Sequence, residues 1–100
     1  MRVQLLYFDE CPNWQVAEAR LHEALEITGR SAEVEKVFVA TPEQAETLGF
    51  RGSPSVLVDG EDPFAQPGEA VGLSCRLYRT PLGLAGSPTV EQLVDVLSAT

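Results

Sequence analysis

Val3-Gln4-Leu5-Leu6-Tyr7-Phe8-Asp9-Glu10-Cys11-Pro12-Asn13-Trp14 is the stretch that decides the fold. Its first half is an apolar run broken only by Gln4, and residues 2 to 8 read as a buried strand. Its second half opens a helix. Pro12 suits the first helical position, where its missing N–H costs nothing. Trp14, Ala17, Leu21, Ala24, Leu25 and Thr28 follow at helical spacing, and Gly29 marks the stop. Cys11 therefore falls at a strand-to-helix junction and is expected at an exposed helix start, where backbone N–H groups and the helix dipole favour a thiolate.

A second signal lies about forty residues on: Gly52-Ser53-Pro54-Ser55, immediately before the apolar run Val56-Leu57-Val58. Between the two signals, residues 33 to 39 read as a second strand. Thr41-Pro42-Glu43-Gln44 reads as a helix start, with Thr41 as cap and Gln44 completing a capping box; this helix ends near Leu48-Gly49. Residues 55 to 58 form a third strand, Asp59-Gly60 a turn, and residues 61 to 69 a polar loop. Its carboxylates Glu61, Asp62 and Glu69 are expected to be solvated, at the far end of the sheet from Cys11. Residues 70 to 78 alternate, with Val71, Leu73, Cys75 and Leu77 on one side and Ser74, Arg76 and Tyr78 on the other. That pattern predicts a fourth strand with Cys75 on the core face. A loop over 79 to 86 precedes a last helix started by Ser87-Pro88, with Val90, Leu93, Val94 and Leu97 on one face. The predicted order is β-α-β-α-β-β-α in one domain spanning residues 1–100.

The charge balance, seven Lys and Arg against fifteen Asp and Glu for a net charge of −8, argues against nucleic acid, whose phosphates need a basic face. No stretch approaches the roughly 18 apolar residues of a membrane span, so no membrane partner is expected. The first residues lack a signal-peptide pattern, which predicts a cytoplasmic protein. Two cysteines, Cys11 and Cys75, are too few for a disulfide framework, and both are expected as resting thiols. With His22 they have no ligand-like spacing, so no metal site is assigned. His22 lies between Glu18 and Glu26 and reads as a surface residue.

The element order, Tyr7-Phe8-Asp9-Glu10-Cys11-Pro12-Asn13-Trp14, the Gly52-Ser53-Pro54-Ser55 turn and Gly72-Leu73-Ser74-Cys75-Arg76-Leu77-Tyr78-Arg79 together resemble the thioredoxin-like superfamily. Within it the chain is similar to short bacterial proteins loosely called alkylmercury-lyase-like. The resemblance covers nearly the whole chain. It implies a minimal thioredoxin fold: a four-stranded mixed sheet flanked by three helices, with a cis Ser53–Pro54 bond facing Cys11. A cis X–Pro bond exposes the preceding backbone groups, which an extended peptide or thiol substrate can pair with. Trp14 stands where dithiol members of the superfamily carry a second cysteine, so the implied chemistry is that of a monothiol.

On this reading Cys11 is the catalytic thiol, and Ser53, Pro54, Trp14, Arg51 and Arg79 position the substrate. Trp14 reads first as core packing at the first helical turn, and second as a substrate-stacking residue. Arg51 and Arg79, if they reach the rim, lower the thiol pKa and bind a carboxylate such as that of glutathione, the possible co-substrate; Asp9 and Glu10 oppose the thiolate. Cys75 is either an inert core thiol or a resolving thiol for Cys11. A whole strand, roughly 10 Å, stands between them, against the limit of about 7 Å between Cα atoms in a disulfide. Three functions compete. The first is monothiol exchange with a small thiol or a protein. The second is a binding module that keeps the scaffold and has lost catalysis. The third is handling of a thiophilic metal such as mercury or copper by Cys11 and Cys75.

Overall fold

The computed structural model describes residues 1–99. The elements are β1 (Val3–Tyr7), α1 (Asn13–Thr28), β2 (Val34–Phe38), α2 (Pro42–Leu48), β3 (Ser55–Val58), β4 (Tyr78–Thr80), β5 (Gly83–Ala85) and α3 (Val90–Ser98). β1 is central. It pairs in parallel with β2, Val3 opposite Val34, and antiparallel with β3, Val3 opposite Val58.

Side chains alternate across this sheet. Val3 and Leu5 of β1, with Val56 and Val58 of β3, bury one face against Ala17, Leu21, Ala24 and Leu25 of α1 and Leu93 and Leu97 of α3. Leu6 points the other way, into a smaller core with Val39, Ala45 of α2 and Phe50. The helix boundaries follow their caps. Gly29 and Gly49 end α1 and α2 in the left-handed conformation, at φ 66° and 65°. The Thr41 hydroxyl accepts from Gln44 N–H, but the Gln44 side chain returns to Ala40 N–H, one residue outside the predicted box. A complete capping box does form at α3, between Thr89 and Gln92.

The four-stranded sheet is not present. The main sheet has three strands, ordered β2-β1-β3, and β4 and β5 form a separate two-stranded hairpin. Only Tyr78 of the expected fourth strand is in a strand. Across residues 70 to 77 the single ladder contact is a parallel bridge between Ser53 and Cys75. It cannot propagate. Pro54 has no N–H to donate, and its carbonyl accepts from the Tyr78 hydroxyl at 2.5 Å rather than from backbone. At the far end of β3 the Val58 N–H is taken by Glu61 O at 2.8 Å. The segment from 70 to 77 is thus a strap across the end of β3, held by backbone hydrogen bonds from Gly72 N–H to Phe50 O at 3.0 Å and with Ser53, and by the Arg76 side chain.

Candidate functional site

Cys11 and Cys75 are joined by a disulfide, with Cα atoms 5.7 Å apart and a sequence separation of 64. The expected obstacle of an intervening strand is absent because the Cys75 segment reaches the Cys11 loop as a strap rather than as the outer strand of a sheet. The two ends of the bond differ. Cys11 is completely buried, contrary to the exposed helix start expected of it, whereas Cys75 is exposed, contrary to its expected place on the core face. Strict alternation holds only over residues 75 to 78, with its faces exchanged; before it, Leu73 packs against the smaller core and Ser74 is exposed, as expected. Val71, Cys75 and Leu77 are exposed while Arg76 and Tyr78 are buried.

Cys11 precedes Pro12, the N-cap of α1; Cys11 N–H donates to Phe8 O at 3.4 Å and Cys11 O accepts from Trp14 N–H at 3.5 Å. α1 has no capping side chain and no acidic residue in its first turn. Its positive end is therefore left for whatever lies at Cys11.

The Ser53–Pro54 peptide bond is cis. Both backbone groups of Ser53 are engaged by the strap: Ser53 N–H donates to Ser74 O at 2.7 Å, and Arg76 N–H donates to Ser53 O at 2.9 Å. The Ser53 hydroxyl accepts from Phe8 N–H at 3.3 Å, which ties the turn to the end of β1. The edge expected to receive a substrate peptide is thus occupied by the chain's own cysteine-bearing segment. Gly52 makes this approach possible. Its φ is 112°, and a Cβ there would lie 3.0 Å from Ser74 O and 3.0 Å from Arg76 Cβ.

Arg76 anchors the strap. Its guanidinium donates to Asp62 Oδ2 at 2.7 Å and to Ser55 Oγ at 3.2 Å, lies 3.6 Å from Glu69 and sits 4.6 Å from the centre of the Tyr78 ring. The Arg76 and Asp62 side chains are only 3% and 4% exposed, so this is a buried pair whose partners satisfy one another. Arg76 is pushed above the ordinary arginine value. Burial is the largest influence and opposes the charged form, but Tyr78, the Asp62 hydrogen bond and charge, and Glu69 outweigh it. Tyr78 is pushed well above the ordinary phenol value, first by burial and then by Asp62 and Glu69, against the pull of Arg76. The loop over 61 to 69 is therefore a structural partner of the strap through Asp62 and Glu69, which are not the solvated carboxylates expected, while Glu61 is exposed as expected. Asp62 also turns the loop by accepting from Phe64 N–H at 2.9 Å. The signal was present as a lone arginine alternating with apolar residues opposite a carboxylate-bearing loop.

The other expected site residues are dispersed. Arg51 Nη1 lies 4.0 Å from Asp62, at the margin of the Arg76 cluster. Arg79 is exposed on β4, and its carbonyl accepts from the Gln92 side chain at 2.9 Å. Trp14 stacks on Tyr7 with ring centres 4.5 Å apart, and Lys36 covers it at 5.5 Å. His22 is exposed. Among the described residues no group of three or more His, Cys, Asp or Glu is placed to hold a metal ion, and no helix is long and apolar enough to cross a membrane. Compared with protein-family models, curated proteins and solved structures, the chain matches none.

Proposed function

We propose that this protein is a dithiol–disulfide exchange protein whose working pair is Cys11 and Cys75. The observation that carries the proposal is their disulfide, with Cα atoms 5.7 Å apart, one partner buried ahead of an uncapped helix and the other at the surface. With a partner inside the chain, Cys11 need not rely on an outside thiol to resolve a mixed disulfide, so the monothiol cycle gives way to a two-cysteine one. Kinship with the thioredoxin-like superfamily is part of this proposal. It is supported by a cysteine after β1 and Ser53–Pro54 before β3; the four-stranded sheet forms no part of it. In the cytoplasm such a pair rests as thiols and closes during turnover. Glutathione and protein dithiols are the candidate co-substrates.

The anchoring of Arg76 favours a second reading, in which the disulfide is a static staple. One experiment separates them. The folded, oxidised protein is incubated with dithiothreitol without denaturant, quenched with an alkylating agent and weighed. Exchange predicts two added alkyl groups within minutes and transfer of the disulfide back to a reduced peptide. Protection until the chain is unfolded selects the staple.

A further inference from the structure

We infer that Cys75, not Cys11, is the sulfur that exchanges with the partner, and that Cys11 is the buried leaving and resolving thiol. The inference rests on the exchange reading above and assigns its two roles. Thiol–disulfide exchange is a displacement at sulfur in which the attacking thiolate, the attacked sulfur and the leaving sulfur lie nearly in line. Attack on Cys11 must come from the side away from Cys75. That side is the protein interior, since Cys11 has no exposed surface. Attack on Cys75 must come from the side away from Cys11, and Cys75 is exposed. Only one of the two cysteines presents surface to an attacking thiolate.

The leaving group agrees with the access. When a partner thiolate attacks Cys75, a bond forms between its sulfur and Cys75 Sγ. The Cys75–Cys11 bond breaks, and the electron pair goes to Cys11 as thiolate. That charge arises one residue ahead of the N-cap of α1, the helix with neither a capping side chain nor an acidic first turn. α2 and α3 both have a threonine cap and a glutamate in the first turn. A second thiolate of a dithiol partner then displaces Cys75. The partner leaves as a disulfide, and the two protein sulfurs take up protons from water.

The strap presents Cys75 for this step. Ser74 O and Arg76 N–H are bonded to Ser53, and Arg76 is locked to Asp62, so the residues on either side of Cys75 are fixed from below. Leu77, 65% exposed, and Val71, 45% exposed, lie two and four residues from Cys75 along the strap. These flanking side chains suit a partner cysteine with apolar neighbours.

Cys11→Ser and Cys75→Ser proteins, each checked for native circular dichroism, are reacted with glutathione disulfide and with an aromatic disulfide. The expected result is that Cys11→Ser, which retains Cys75, reacts at least tenfold faster and accumulates a stable mixed disulfide mapped to Cys75. The unmutated reduced protein, pulsed with limiting iodoacetamide, is expected to carry its first label on Cys75; this arm does not depend on either variant folding. Equal or faster reaction of Cys75→Ser, or a first label on Cys11, overturns the assignment while leaving exchange intact. A disulfide that opens only in denaturant overturns the exchange reading and the assignment with it.

Discussion

Arg76 and Asp62 form a salt bridge, Nη1 to Oδ2 2.7 Å, between side chains that are 3% and 4% exposed, one residue along the chain from Cys75. Removing one partner of a buried pair leaves the other charge without compensation and costs about 3–5 kcal/mol. Asp62→Asn keeps the shape and leaves Arg76 with Glu69 at 3.6 Å and Ser55 at 3.2 Å, so a loss of about 3 kcal/mol is expected. Urea unfolding of the oxidised protein measures it. A change below about 1 kcal/mol would mean that the pair contributes no more than an exposed one.

Gly52 should tolerate no side chain. Gly52→Ala meets a φ of 112° and two contacts at 3.0 Å, one of them with Ser74 O. A loss of about 1–3 kcal/mol is expected, with faster hydrogen exchange at the Ser53 and Arg76 amides. Gly60→Ala is the control. Gly60 has φ 84° and nothing within 4 Å of a built Cβ, so only the backbone cost applies and those amides should stay protected.

Reduction should weaken the protein without unfolding it. For the 64-residue separation of the disulfide, loop-closure entropy gives about 4 kcal/mol of stabilisation. The Arg76–Asp62 pair and the Ser53 bridge remain after reduction and keep residues 74 to 76 in place. The reduced protein is expected to show a lower urea midpoint and an unchanged far-ultraviolet spectrum at zero denaturant. Loss of the spectrum on reduction would show that the disulfide alone holds the strap.

Alkali should destabilise the fold through Tyr78. Its phenol is raised above the ordinary value near 10 in the folded protein, chiefly by burial. A group whose folded pKa lies above its unfolded one contributes stability in full below the unfolded value, here about pH 10. That contribution declines as the pH rises above 10, because the unfolded chain ionises first. Urea midpoints between pH 9 and pH 11.5 should fall more steeply for the unmutated protein than for Tyr78→Phe. At neutral pH Tyr78→Phe should lose about 1 kcal/mol with its hydrogen bond to Pro54 O. Parallel pH profiles for the two proteins would refute the assignment.

The local elements could be read from the sequence because their causes are local. An apolar run, a proline at the N-cap, one residue ahead of its expected first helical position, and a glycine at the stop define β1 and α1 within a few residues. Thr41 and Gly49 do the same for α2. The Ser53–Pro54 turn stands where its motif put it, immediately before β3. What failed was long-range. The alternation has the right parity over 75 to 78, but hydrophobicity assigns the wrong faces there. The choice was made instead by Arg76, whose charge is accommodated inside by Asp62, Glu69 and Ser55. Once Arg76 turns inward, Cys75 must turn outward. The expected separation of Cys75 from Cys11 is too long for a related reason. Strand spacing was applied to a segment that is not a strand, since Pro54 cannot extend the Ser53 bridge into a ladder.

The strap has a kinetic consequence. Because hydrogen bonds to Ser53 hold residues 74 and 76 irrespective of the disulfide, the Cys75 thiol stays beside Cys11 after the bond is opened. A short tether of this kind acts as a local thiol at effectively millimolar concentration or more. Ring closure then outruns capture by a dilute monothiol, and a reductant bearing two thiols on one molecule is the kind best able to keep the pair open.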